Sequence, residues 1–457
     1  MPRSALLSPE LRWTTIGSIA LIFLGAFESL AVTTIMPTVS RELDGEALYS
    51  LAFSGTLAAS IIGTVVAGGW ADRRGPSRPL IVAMAVFVVG LVLSGTAQSM
   101  VVFIVGRFLQ GLGSGAIIVA LYVVVARLYP AELHPKIFGA FAAAWVLPSM
   151  IGPPVAGLVA DSTSWHWVFL GVGVLVLFAA AFIAPAIRQL AHMTTASSGA
   201  RVGSAPFWAV VVAVGVVGVS LGGQLPVSVA PVVVIVAVVI VVVALRPLVP
   251  AGTLLARRGL PSVVLLRGAC AAAFFGTEVY LPYLLNERYG LPSWAAGLIL
   301  TVGAVSWALG SEVQSRMGER MSHDNTVRIG AAVLLLGVFT QVVTAALLLS
   351  PIVAAAGWFF AGAGMGLVYP RISTLVLSYS TEGNQGFNSA AMSISDNVGG
   401  ATAIAFAGLL FTGFATNGFV AALALTAVLA ALALPVAFRV RAERLPVAPD
   451  AGAPPAS

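Results

Sequence analysis

Hydrophobic residues in this chain come in long unbroken runs, neither alternating with polar ones nor confined to one helical face. Fourteen runs are separated by short polar segments: Trp13–Pro37, Leu48–Gly69, Pro79–Ala97, Val101–Tyr129, Phe138–Ala160, Trp167–Ile187, Phe207–Gly222, Val227–Leu245, Ser262–Leu285, Ala295–Glu312, Ile329–Leu349, Ile352–Leu377, Phe387–Phe411 and Phe419–Phe438. A helix needs about 20 apolar residues to cross a hydrocarbon core ~30 Å thick, and all but the shortest, Phe207–Gly222, meet or approach that length. The pattern predicts an all-α integral membrane protein with fourteen spans. Residues 1–187 form a first block of six helices. Residues 188–258 are a linker carrying two additional spans, the hairpin 207–245, and residues 259–438 form a second block of six. The tail 439–457 ends in Ala, Pro, Gly and Ser and reads as disordered.

Composition supports this reading. Only 9% of residues are charged and the mean hydropathy is +1.01, whereas a soluble domain carries about 25% charged residues. The few charges give the orientation. With the amino terminus inside and all fourteen runs threaded, the outer loops hold only Arg41 and Arg288 among basic residues, and Arg107, Arg267 and Arg371 fall within spans. Every other arginine, and the single lysine Lys136, lies on the inner side. This bias predicts a multi-pass protein of the cell inner (plasma) membrane with both termini cytoplasmic. Twelve spans plus a membrane-lying hairpin would give the same orientation. The near-absence of lysine fits a GC-rich bacterial genome. The net charge of +6 forms no basic patch, so no nucleic-acid partner is expected. Lone Cys270 and four scattered histidines give no metal-ligand spacing, and no cofactor or enzymatic chemistry is expected. Trp13–Pro37 is too long for a cleavable signal.

Against so apolar a background, ionisable residues within spans stand out. Glu28 lies near the middle of the first run, ~18 Å from Ile16 and ~13 Å from Pro37 at helical rise. A carboxylate there costs a few kcal/mol or more and marks a functional site by default. Desolvation favours its neutral form until a cation, an arginine or water arrives. The alternative is a carboxylic acid hydrogen-bonded to a neighbouring helix for packing alone. Arg107 either snorkels to the outer interface or points into the bundle beside an acid; the small, polar Gly111–Gly115 stretch that follows suits a packed interior. That stretch is no phosphate loop, since it lies inside an apolar span with no strand before it. Glu278, one turn before Pro282, and Asp396, beside Ser395 and Asn397, are further candidates as proton sites, substrate contacts or partners of Arg267 or Arg371. Trp145, Phe141, Phe274, Phe275 and Tyr280 lie near these groups in sequence and suit a lipophilic or cationic substrate.

The most specific stretch is the loop after the second run, Gly68-Gly69-Trp70-Ala71-Asp72-Arg73-Arg74-Gly75, with Arg78 just beyond. Small residues there would let helices approach closely, and Asp72 could pair across the inner face. The stretch resembles the loop signature of the major facilitator superfamily, with Trp70 at the usual leucine and Pro76 and Ser77 at the usual basic pair. Arg107-Phe108-Leu109-Gln110-Gly111-Leu112-Gly113 resembles that superfamily's fourth-helix signature. The run from Pro148 to Gly157 is similar to its fifth-helix antiporter signature, with Pro148 and Ala156 at two of the usual glycines. Glu28, nine residues before Pro37, matches the first-helix acid of fourteen-helix drug–proton antiporters, where the residue is Asp. The two blocks also echo each other weakly, with Glu28 and Glu278 each in an opening helix.

The resemblance implies a major facilitator fold, two six-helix bundles alternating between inward-open and outward-open states. It implies proton-coupled export of lipophilic or cationic small molecules, with Glu28 as protonation site and Arg107 as its modulating cation. Glu278 and Asp396 are added as possible coupling residues. Gly68, Asp72, Arg73, Gly75 and Arg78 would form the conformational gate, and Gly152, Pro153 and Gly157 would shape the interface between bundles. Trp145, Phe141, Phe275 and Tyr280 would line the substrate cavity. Expected partners are a small lipophilic substrate, protons and membrane lipids, with the protein a monomer. Transport of a lipid or envelope component, and nutrient import by proton symport, remain as alternatives.

Overall fold

The computed structural model describes residues 6–192, 203–226, 228–317, 321–381, 384–414 and 417–441. The tail beyond 441, the linker 193–202 and the side chain of Asp72 lie outside the described residues. Fourteen helices are long and apolar enough to cross a membrane, and no strand occurs among the described residues. The first six are α1 Arg12–Glu42, α2 Tyr49–Arg74, α3 Ser77–Gly95, α4 Met100–Leu128, α5 His134–Ser162 and α6 His166–His192. A hairpin follows, α7 Ala205–Gly222 and α8 Ala230–Leu245. The last six are α9 Leu260–Tyr289, α10 Ser293–Met317, α11 His323–Leu347, α12 Pro351–Ser378, α13 Gln385–Gly413 and α14 Gly418–Ala437.

Local chemistry sets many of these boundaries. The side chains of Ser99, Ser322 and Ser350 accept backbone N–H groups at the starts of α4, α11 and α12, satisfying donors that hydrocarbon would otherwise strand. Helices α5, α7, α8, α9 and α12 carry proline in their first two positions, where no N–H is needed. Gly75 ends α2 at φ +79°, a backbone region closed to side chains with a Cβ. The proline expected to loosen α9, Pro282, is accommodated within a helix that continues to Tyr289.

Helices α1–α6 form one bundle and α9–α14 the other; the second has an apolar core of its own, while that of the first continues across into Tyr280 and Tyr283 of α9 and Phe419 of α14. Within the first, α4 packs tightly on α2. A Cβ at Gly63 would strike the Leu112 carbonyl oxygen, and Cβ atoms at Gly111 and Gly115 would strike the carbonyls of Thr56 and Ser60. The expected close approach at Gly68 and Gly69 is absent: a Cβ on Gly68 would meet only Val119 at 3.6 Å, and one on Gly69 nothing within 4 Å. The small residues that bring helices together thus lie about one to three turns deeper in the span, where backbone can meet backbone away from the loop.

The bundles meet along two seams, α2 with α13 and α5 with α10. Helix α7 lies along the first seam, its Ala209, Val212 and Val216 sharing a core with Ala58 and Ile61 of α2 and Ile394 and Val398 of α13. Ser220 and Ser54 hydrogen-bond there at 2.7 Å. The hairpin therefore runs alongside the other spans and does not lie across them; α8 packs chiefly on α7 and leaves Val232, Ile235 and Val239 exposed.

At the end of the molecule away from α1's start, the bundles are drawn together. Arg41 and Glu287 approach to 3.6 Å, and the Tyr49 hydroxyl donates to the Val279 carbonyl at 2.8 Å. The Trp294 backbone N–H donates to Asp161 at 3.1 Å. Tyr49, Tyr280, Tyr283 and Phe411 pack ring against ring between them, with centroids 4.7–5.8 Å apart.

Candidate functional site

Glu28 is the seventeenth residue of α1, deep in the span, and only 4% of its surface is exposed. The guanidinium of Arg107 donates to its carboxylate. Arg107 thus points into the bundle and does not snorkel. The same guanidinium donates to the side-chain carbonyl of Gln110, one turn on, and its Nε reaches the Ala52 carbonyl of α2 at 3.4 Å. The Gln110 amide in turn donates to the Gly90 carbonyl at 3.0 Å and to Ser94 Oγ at 2.9 Å, both on α3. Four helices are joined through one buried ion pair. Gln110 stands in the fourth-helix signature but was given no role from the sequence; its place three residues after Arg107, on the same helix face, is the signal for this contact.

Glu28 borders a cavity of about 410 Å³ whose wall also includes Ser29, Thr56, Ser60, Tyr122 and, from the other bundle, Asn397. A second cavity of about 690 Å³ lies on the C-terminal side, walled by α5, α9, α10 and α12, with Arg267, Glu278, Phe275, Trp307 and Asp396 among its residues. Trp145 lines both.

The second bundle's charges are arranged differently. Arg267 of α9 donates to Asp396 of α13 at 3.0 Å, and the Tyr369 hydroxyl of α12 donates to the other Asp396 oxygen at 2.7 Å. The Arg267 guanidinium lies 3.5 Å from the Tyr369 ring centroid, a cation–π contact. The pairing left open in the sequence is therefore Arg267 with Asp396, and Tyr369 is a member of the cluster that sequence reasoning missed. Glu278 has no hydrogen-bond or ion-pair partner among the described residues and is part of the larger cavity's wall.

Two expected cavity residues are elsewhere. Phe141 is 3% exposed and packs beside Tyr122 and Phe138. Tyr280 is 1% exposed within the aromatic cluster that joins the bundles. Each sits on the helix face turned toward a neighbouring helix, a distinction of rotation that composition does not carry. Phe274 reaches the larger cavity's wall while stacking on Trp358.

The three interface residues lie along α5. A Cβ on Gly157 would collide with the backbone of Ser293 and Trp294, and Pro153 packs against Gly297 where no Cβ fits. Gly152 is less crowded, its nearest neighbour Phe27 at 3.5 Å. In the gate loop, Arg73 is exposed and its Nε donates to the Gly69 carbonyl at 2.8 Å, and Arg78 is exposed at the start of α3.

Two bundles, a buried acid–arginine pair within the first and cavities lined by both define a membrane transporter. The profile of the Major Facilitator Superfamily matches residues 18–403, and the chain belongs to that family. Among curated relatives, the multidrug efflux pump SdrM of Staphylococcus aureus is 22% identical over 380 residues, covering 79% of this chain and 81% of that protein. The multidrug transporter protein MdtP of Bacillus subtilis is 26% identical over 377 residues, covering 80% and 68%. Multidrug resistance protein 3 of Bacillus subtilis is 27% identical over 170 residues, a match spanning 36% of this chain and only 33% of that protein. Solved structures share the fold. A POT family transporter in complex with 5-aminolevulinic acid aligns with TM-score 0.70 at 14% identity, covering 96% and 97% of the two chains. The nucleoside transporter NupG aligns at 0.65 and 12%, covering 93% and 98%.

Proposed function

We propose that this protein is a proton-coupled exporter of lipophilic or cationic small molecules, working by alternating access in a bacterial plasma membrane with both termini in the cytoplasm. The observation that carries the reading is the Glu28–Arg107 pair, buried mid-span, with Glu28 bordering a cavity lined by both bundles. In that orientation the bundles are joined on the outer side, so this conformation is the inward-facing one. Removing one partner's charge from a buried ion pair leaves the other uncompensated, at a cost of about 3–5 kcal/mol. Protonation of Glu28 does this reversibly. It frees Arg107 to its contacts with Gln110 and Ala52 and biases the bundle toward a second arrangement. Cargo that occupies the cavity in one state and a proton that occupies Glu28 in the other displace each other by population shift.

The energetics are sufficient. One proton moving across about 100 mV supplies about 2.3 kcal/mol, enough for a roughly 50-fold gradient of a neutral cargo at one-for-one exchange. The multidrug names of the relatives support the cargo class. Gly75, Arg73 and Arg78 are assigned to the inner gate, with Asp72, and Gly157 and Pro153 to the pivot between α5 and α10. The deciding experiment is reconstitution in liposomes with an imposed pH gradient, screening dyes, drugs and native lipids together. Gradient-driven efflux of a lipophilic dye is expected; movement of lipid alone would replace this reading with that of an envelope-component transporter.

A further inference from the structure

The connector between the hairpin and the second bundle, residues 246–259, is folded back on itself. Three positions with positive φ fall within eight residues: Gly252 at +89°, Ala256 at +48° and Gly259 at +84°. Alanine does not favour that region, so the loop around Ala256 imposes its conformation. The N–H groups of Leu255 and Arg257 donate to the Gly252 carbonyl at 3.1 and 3.2 Å, and that of Ala256 to the Thr253 carbonyl at 3.0 Å. Arg257 is seated by this fold. Its stem lies over Gly252, where a Cβ would collide with it. Its carbonyl accepts from the backbone N–H and the hydroxyl of Ser262, in the first turn of α9, at 3.1 and 2.7 Å. The chain beyond α14 joins from the other side. The Gly259 N–H donates to the Arg439 carbonyl at 2.9 Å, and the Arg439 guanidinium donates to the Ala256 carbonyl at 3.3 Å.

These contacts frame an open pocket of about 450 Å³ walled by Leu255, Ala256, Arg257, Arg258 and Arg439. Three of the five wall residues are arginine and none is acidic. Topology alone puts arginines at this end of the spans, but three others there are answered within their own helices. Arg316 pairs with Glu312 at 2.7 Å, Arg328 approaches Asp324 at 3.6 Å, and Arg73 donates to the Gly69 carbonyl at 2.8 Å. Arg257 and Arg439 have no ion-pair partner among the described residues. Apolar side chains accompany them: Leu255, in the wall, is 71% exposed, and Phe438, preceding Arg439, is 60% exposed.

We propose that this pocket binds the phosphodiester head of an anionic phospholipid, with Arg257 and Arg439 as its principal donors. A guanidinium presents paired N–H groups that match two phosphate oxygens. A free phosphate ion would use the arginines but gain nothing from Leu255 and Phe438. A phospholipid uses both, its head on the guanidinium groups and the upper part of its chains on the apolar side chains. Such a lipid would pin the connector to the end of α14, where three segments of chain already meet. The site is separate from both cargo cavities, and it depends neither on the export reading nor on which leaflet it faces.

The test is native mass spectrometry of the full-length protein in detergent, titrated with phosphatidylglycerol, phosphatidylcholine or inorganic phosphate. The first phosphatidylglycerol is expected to bind about tenfold more tightly than phosphatidylcholine, and Arg257→Gln with Arg439→Gln to weaken it about fivefold per arginine removed. Phosphatidylcholine binding should not change. Arg257→Gln alone, at an exposed position, should lose about fivefold and serves where the double variant does not fold. Arg188→Gln with Arg316→Gln removes the same charge from exposed positions elsewhere and should leave phosphatidylglycerol binding unchanged. Equal weakening by the two double variants, or none by either, overturns a defined site in favour of diffuse attraction. Displacement of phosphatidylglycerol by inorganic phosphate at equal concentration overturns the lipid as occupant.

Discussion

In the first bundle the mid-span acid has an arginine opposite it; in the second it does not. Glu28 lies in the opening helix α1 and pairs with Arg107, the eighth residue of α4. Glu278 lies in the second bundle's opening helix, α9, but the eighth residue of α12 is Trp358, fully buried and stacked on Phe274 with centroids 4.5 Å apart. The second bundle has its own pair, Arg267 with Asp396, set in other helices and clamped by Tyr369. Related architectures have therefore arranged charge in two ways. One bundle holds a buried acid paired with an arginine, and the other holds a braced pair together with an acid left open to a cavity. Among the described residues, the Glu28 carboxylate has no anchor besides Arg107, Asp396 has two, and Glu278 has none; under the proposed export mechanism, the first suits a switch.

The strongest way to break this comparison is Glu28→Gln. Coupled efflux in pH-driven liposomes is expected to fall by about 100-fold or more, in the range seen for groups that carry the proton, while exchange of cargo without a gradient persists. Normal coupled flux in that variant would remove Glu28 from the switch. Next in size, Arg107→Gln leaves the Glu28 carboxylate buried without a cation and should cost about 3–5 kcal/mol in thermal or denaturant unfolding. The double variant, Glu28→Gln with Arg107→Gln, should recover part of that loss; strict additivity would mean the two residues do not act as a pair. Asp396→Asn keeps the hydrogen bond to Tyr369 but leaves Arg267 unneutralised, and should cost about 1–3 kcal/mol. A cost equal to that of Arg107→Gln would erase the difference drawn between the bundles. Gly63→Ala forces a Cβ onto the Leu112 carbonyl and should destabilise by about 1–3 kcal/mol, whereas Gly69→Ala should stay within about 0.5 kcal/mol. A comparably small effect is expected for Ser54→Ala, which removes one hydrogen bond to the hairpin, about 0.6 kcal/mol by typical membrane values. A much larger loss would make the hairpin a structural strut of the first bundle.

Much of the architecture was legible beforehand because a bilayer imposes its demands locally. A span must be apolar over about 20 residues wherever it sits, and its loops must place arginine on one side, so the number of helices and the expected orientation follow from the chain read in order. Rarity made Glu28, Arg107, Glu278 and Asp396 visible for the same reason. Rotation about each helix axis was not legible. In a helix apolar on every side, nothing in the pattern says which face meets a neighbour, and so Phe141 and Tyr280 were expected in a cavity from which packing removes them. The small residues at Gly68 and Gly69 misled in the same way, since the tight contact is made at Gly63, Gly111 and Gly115.

By itself, then, the sequence determined that this chain has fourteen membrane-length helices, two six-helix blocks and a two-helix hairpin, with acids buried among them, because hydrocarbon thickness and the cost of charge act on each segment separately. Only the tertiary structure decided which charges meet. Glu28 and Arg107 are 79 positions apart and Arg267 and Asp396 129 apart, and such pairings depend on how helices dock and rotate against one another. The same docking left Glu278 alone and laid the hairpin over one seam and not the other.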